Sequence, residues 1–147
     1  MKIPSSVLID TNVLLTACAP QRQSHEKALE VLNSWPNKGV RLALSGQILR
    51  EYLVVATRPT SRNGLGLELG DALSNCKALA SRCQVLEESR SVSEKFLEIV
   101  RRTKTSGKQL HDANLVATAL IHDVSDILTQ NVEDFRCFDS MVGIIEL

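Results

Sequence analysis

Val7-Leu8-Ile9-Asp10-Thr11-Asn12-Val13-Leu14-Leu15 sets an unbroken apolar run against a three-residue polar step and a second apolar run. The first run is mostly β-branched and offers no polar side to either face of a pleat. Such a strand is covered on both faces, the situation of strands in a parallel sheet. Asp10, Thr11 and Asn12 interrupt it, and Val13 to Leu15 can open a helix. The stretch therefore reads as strand, tight turn and helix, with an acid at the turn.

The same alternation recurs outward from this stretch. His25 to Trp35 spaces Ala28, Leu29, Val31, Leu32 and Trp35 as an apolar helical stripe, with Ser24 as the expected N-cap and Pro36 and Gly39 as breakers. Val40 to Leu44 reads as a strand, Ser45 as a cap, and Ile48 to Val55 as a helix stopped by Pro59. The segment PTSRNGLG, residues 59–66, is expected to be the most flexible part of the chain. Further on, helices are expected over 67–81, around Val92, Phe96, Ile99 and Val100, and over 111–122. Strands are expected over 84–86, 126–129 and 142–146, with a helical turn over 132–135 and a basic loop over 101–109. The fold class is α/β, a three-layer open sheet of mainly parallel strands flanked by helices, in one domain spanning 1–147. In such sheets chemistry sits beyond the carboxyl ends of the strands. Asp10 lies there.

Composition excludes several functions. With 44% hydrophobic residues in 147, the chain can bury a core without staples. Seventeen basic and 17 acidic side chains cancel, which argues against a dedicated nucleic-acid-binding module but permits an enzyme that grips a few phosphates. Aromatic residues are only 3%, so a base-stacking surface is not expected. Cys18, Cys76, Cys83 and Cys137 lack zinc-site spacing and are expected to be reduced and mostly buried. No apolar run approaches a membrane span, and the first ten residues lack a signal-peptide pattern, so a cytoplasmic protein is expected.

Three acids stand in apolar settings: Asp10, Glu51 in QILREYLVVAT, and Asp112 opening HDANLVATAL. Each has a plainer reading. Asp10 can be an N-cap, Asp112 can answer a helix dipole, and Glu51 can pair with Arg50 on the surface. Residues and spacing alone leave both readings open.

Over nearly its whole length the chain resembles a PIN domain, and more narrowly the VapC-type toxin ribonucleases of type II toxin–antitoxin pairs. LIDTNVLL, SGQILREYL, HDANLVATAL and LTQNVEDF carry the resemblance, in the family's order and spacing. It implies an endoribonuclease dependent on Mg²⁺ or Mn²⁺, with Asp10, Glu51 and Asp112 as catalytic metal ligands. The fourth position falls in TQNVED: Asn131 occupies the motif position more directly, but Asp134 supplies the charge and is the expected fourth catalytic and metal residue, acting through water, with Glu133 as a substitute. Clustered carboxylates repel one another unless a cation lies between them, and an all-oxygen set suits a hard ion. Asn12, beside Thr11, would orient these carboxylates or simply satisfy the first helical turn. Thr129, Asn131 and Ser45 would be further polar groups at the site. Arg101, Arg102, Lys104 and Lys108 form a basic run that would hold the RNA backbone or merely be solvated. His111 is expected to be structural.

The resemblance also implies an RNA substrate, a homodimer and a small antitoxin whose arginine would enter the acidic site, docking along the helix from Leu49 to Ala56 and the loop that follows it. Two alternatives compete. A haloacid-dehalogenase-type phosphatase needs a second acid at position 12, which is Asn. A silent PIN-like binding or scaffold module would have no reason to keep three mutually repelling acids.

Overall fold

A computed structural model describes residues 3–147. The strand expected at the start is β1 (Ser6–Ile9), and its side chains are wholly buried from Val7 to Ile9. It is followed by α1 (Thr11–Ala17), α2 (His25–Ser34), β2 (Arg41–Ser45), α3 (Gly46–Ala56) and α4 (Leu69–Arg82). Then come β3 (Gln84–Leu86), α5 (Arg90–Thr103), α6 (Gln109–Ile121), β4 (Asp126–Thr129), α7 (Val132–Phe135) and β5 (Gly143–Glu146). The five strands form one sheet in the order β3-β2-β1-β4-β5, and every neighbouring pair is parallel. The expected "mainly parallel" sheet is thus parallel throughout.

The strand order fixes where a site can form. From β1 the chain moves outward through β2 to β3, then crosses back to β4 and on to β5. Right-handed crossovers put the helices of these two excursions on opposite faces. Their contacts agree: α1 packs on α2 and α3, and α3 on α4, whereas α5 packs on α6 and α6 on α7. The connections therefore part between β1 and β4, which opens a crevice at the carboxyl ends of those two strands. Val7 pairs with Asp126 and Ile9 with Leu128, and the Asp10 amide donates to the Leu128 carbonyl at 2.9 Å. The ladder thus runs on to Asp10.

Several local expectations need correction. Ser24 does not cap α2 through its side chain; its backbone is left-handed, φ 70°, and its carbonyl accepts from Ala28 at 3.0 Å. Ser45 precedes α3 without a side-chain cap, and its buried hydroxyl has no hydrogen-bond partner among the described residues. The cap comes from elsewhere: Glu88 Oε2 accepts from the Gln47 amide at 3.1 Å. Arg101 and Arg102 are not in a loop but in the last turn of α5, where basic side chains suit the dipole. Lys104 ends that helix with φ 55°. Of the four cysteines only Cys83 is buried; Cys18 and Cys76 are half-buried and Cys137 is exposed, all as free thiols. Among the described residues no helix is long and apolar enough to cross a membrane.

Candidate active site

Asp10 leaves the end of β1 at the crevice and is buried, 8% exposed. Its Oδ1 accepts from the Thr11 amide at 2.7 Å, so it does cap α1. Its Oδ2 accepts from the Thr129 hydroxyl at 2.7 Å and the Asn12 amide at 3.2 Å. Asn12 also receives the Gln130 amide on its Oδ1 at 3.1 Å, which locks it across the β1–β4 junction. Thr129, wholly buried at the end of β4, accepts in turn from the Asn131 amide at 3.0 Å. The capping and site readings of Asp10 are thus compatible. An ionised carboxylate offers about four acceptor positions, and these donors leave room for one more partner.

Glu51 comes from the middle of α3. Thr11 Oγ1 donates to its Oε2 at 2.9 Å, and Gln47 Nε2 to its Oε1 at 2.9 Å. Arg50 pairs with Glu88 at 3.6 Å, and not with Glu51 as the surface reading supposed. Asp112, in the first turn of α6, and Asp134, in α7, have carboxylates with no hydrogen-bond donor among the described residues.

These four acids line one cleft of about 450 Å³ together with Thr11, Asn12 and Asn131. The cleft holds no His or Cys, so every donor is oxygen. Two basic residues, Arg50 and Arg58, also line the cleft, although the Arg50 guanidinium pairs with Glu88. Burial is the main cause that raises Asp10, with Glu51 and Asp134 adding repulsion against the hydrogen bonds from Thr129 and Thr11. Asp112 is pushed up to about 7 by burial first, then by Asp10, Asp134 and Glu51. Among the described residues no hydrogen-bond donor offsets these causes at Asp112. Among the described residues no three Asp, Glu, His or Cys side chains stand in metal-holding geometry as the chain folds alone. Two of the four are held by hydrogen bonds and two, among the described residues, are not.

Glu133 is drawn away by an ion pair with Arg136, which also holds its carboxyl below the usual range, and it does not line the cleft. Of the acids in TQNVED, Asp134 faces the other carboxylates. Arg101, Arg102, Lys104 and Lys108 do not line the cleft; the bases that do are Arg50 and Arg58. His111 contributes its backbone carbonyl to Gln47 at 2.9 Å and does not line the cleft. Sequence reasoning missed Gln47 and Asn114. The spacing of Gln47 four residues before Glu51, which puts both on one helix face, was the available signal.

No curated protein matches the chain. Among solved structures it is similar in fold to VapBC2 from Rickettsia felis bound to a promoter DNA fragment, with TM-score 0.69, 16% identity, and coverage of 97% of this chain and 98% of that one. A toxin–antitoxin complex from Klebsiella pneumoniae gives TM-score 0.65 and 24% identity over 95% of each chain. The sarcin-ricin-loop-cleaving toxin VapC20 of Mycobacterium tuberculosis gives 0.62 and 17%, over 82% of this chain and 86% of that one. Residues 6–133 match the PIN domain family as a whole, and the chain belongs to that family.

Proposed function

We propose that the chain is an endoribonuclease dependent on Mg²⁺ or Mn²⁺ and the toxin of a toxin–antitoxin pair. The observation that carries this reading is the meeting of Asp10, Glu51, Asp112 and Asp134, from four separate segments, in one cleft at the switch point of a PIN fold. The all-oxygen donor set suits a hard divalent cation. Asp10, Glu51 and Asp112 would hold it, with Asp134 contributing through water. Such an ion, when bound, supplies Lewis acidity toward a phosphate oxygen and a water of lowered pKa.

The chain's own residues prepare that site. Thr11 links the first two ligands, giving its amide to Asp10 and its hydroxyl to Glu51. Thr129 and Asn12 hold Asp10 against the end of β4. Asp112 and Asp134, lacking donors, can turn toward a cation that relieves the repulsion between them. Arg58, with no partner of its own among the described residues, offers a charge to the phosphate backbone. The reaction adds water across a phosphodiester, leaving a 5′-phosphate and a 3′-hydroxyl.

The fold neighbours include toxin–antitoxin complexes, which supports a small antitoxin as partner. An antitoxin arginine among the four carboxylates would block the site by charge-assisted hydrogen bonds. A homodimer completes the reading. The test is direct. Mn²⁺ should raise the melting temperature of the purified chain and support RNA cleavage, and Asp10→Asn should abolish both. Cleavage of RNA by a clean Asp10→Asn preparation would overturn the reading.

A further inference from the structure

We infer that Gln47 is a positioning residue that sets the spacing between Glu51 and Asp112, and that Asn114 fixes the orientation in which it does so. The inference rests on the proposed metal site and concerns how the apo chain holds it ready.

Gln47 is buried, 5% exposed, one helical turn before Glu51. Both N–H groups of its side-chain amide are used. One donates to Glu51 Oε1 and the other to the carbonyl of His111, each at 2.9 Å. The second acceptor belongs to the residue directly before Asp112. A single planar amide therefore spans α3 and α6 and touches the carboxylate of one acid and the backbone beside the other.

An amide can turn over, and here only one orientation works. The reverse would set Oε1 against a carboxylate and a carbonyl, two acceptors with no proton between them. Asn114 enforces the working choice, because its Nδ2 donates to Gln47 Oε1 at 2.7 Å. That Nδ2 also donates to Glu88 Oε1 at 2.9 Å, and Glu88 Oε2 accepts from the Gln47 backbone amide at 3.1 Å. The hydrogen bonds close into a ring joining α3, α6 and the segment after β3. Glu51 thereby has both oxygens engaged, by Gln47 and Thr11, which fixes the plane of its carboxylate while leaving lone pairs toward the cleft. Partners that orient a ligand commonly change metal affinity by about 10- to 100-fold.

The test titrates Mn²⁺ calorimetrically into the full chain, with the metal-free melting temperature of each variant measured alongside. Gln47→Met keeps length and apolar bulk and removes every hydrogen bond of the side chain. Asn114→Leu leaves Gln47 in place and removes what orients it. The expected result is Mn²⁺ binding weakened about tenfold or more by Gln47→Met and less by Asn114→Leu. Because Asn114 acts through Gln47, the double variant should bind no more weakly than Gln47→Met alone. Cleavage by Gln47→Met should recover at saturating Mn²⁺. Affinity of Gln47→Met within about twofold of wild type, or losses that multiply in the double variant, overturns the inference. If Gln47→Met does not fold, Asn114→Leu decides, and wild-type affinity in that variant overturns it. Failure of the wild-type chain to bind Mn²⁺ overturns the metal reading itself, and so is told apart from a loss or retention confined to the variants.

Discussion

Asp112 is the side chain whose charge the fold does least to support. It is half-buried, its carboxylate receives no hydrogen bond among the described residues, and it faces Asp10, Glu51 and Asp134. Its carboxyl is pushed up to about 7 from an ordinary 3.8. Between those values the folded chain holds a proton that the unfolded chain has lost, so stability falls as pH rises across that window. Above it the folded chain carries an unfavourable ionised group. Asp112→Asn should therefore raise the metal-free melting temperature at pH 8 by a few degrees, on the order of 1 kcal/mol after discounting for solvent access. It should leave stability near pH 4 almost unchanged and abolish stabilisation by Mn²⁺. A lower melting temperature at pH 8 would mean that the like charges are not what strains this site. For the wild type, Mn²⁺ binding below pH 7 should release a proton and tighten as pH rises. Part of this was legible in the sequence. Asp10 follows a run that only a buried strand explains, so its place at a sheet mouth could be read directly. That Asp112 meets Asp10 depends on the crossover from β3 to β4, a long-range feature with no local mark, and only the family resemblance anticipated it.

At the scale of elements, the segment after α3 holds Arg58 at the cleft. Composition marked residues 59–66 as flexible, since Pro, Ser, Asn and Gly favour turns. The same residues here build an ordered turn with a 3-10 stretch, Thr60–Arg62. Gly64 donates to the Pro59 carbonyl at 3.1 Å, Leu65 to Val55 at 3.1 Å, Gly66 to Arg58 at 2.8 Å and Leu67 to Ala56 at 2.9 Å. Composition names residues able to turn and says nothing about which carbonyls receive their amides. Gly64 is the critical point. A Cβ there would lie 2.0 Å from the Arg58 carbonyl oxygen, where neither backbone can yield. At Gly66, φ +64°, a Cβ would meet the Thr60 methyl at 3.1 Å and the Thr60 amide nitrogen at 3.7 Å, an ordinary contact. Gly64→Ala should therefore destabilise by about 1–3 kcal/mol through forced backbone displacement. Gly66→Ala should cost about 1 kcal/mol from its left-handed conformation. Urea midpoints at unchanged m-value would measure both. Equal losses, or the reverse order, would show that close approach to Arg58 does not fix the turn. The basic run from Arg101 was misread for a related reason. Its charge suggested a loop, yet α5 continues to Thr103 and Arg101 and Arg102 occupy its last turn.

If the chain cleaves RNA as proposed, the charge balance of the whole molecule governs how it would hold that substrate. With 17 basic and 17 acidic side chains, it has no surplus with which to neutralise many phosphates. Its cleft is dominated by carboxylates, which repel a phosphate backbone unless a cation intervenes. Affinity must then come from that cation and from few bases. Among the described residues, Arg58 is the cleft base whose guanidinium has no partner, whereas Arg50 is committed to Glu88. The exposed bases Arg101, Arg102, Lys104 and Lys108 lie outside the cleft lining. Single-stranded RNA binding weakens with salt by a logarithmic slope of about 0.7 per neutralised phosphate. The slope of log KM against log salt at saturating Mn²⁺ should thus correspond to only one or two phosphates, roughly 0.7 to 1.4. Arg58→Gln should lower it by about 0.7 and leave the Mn²⁺-dependent melting shift intact. Replacing Arg101, Arg102, Lys104 and Lys108 together by Gln should leave the slope unchanged. If the fourfold variant loses the slope and Arg58→Gln keeps it, the RNA crosses the junction of α5 and α6 instead. A steep slope lost in neither variant would place the strand on a surface that none of these bases marks.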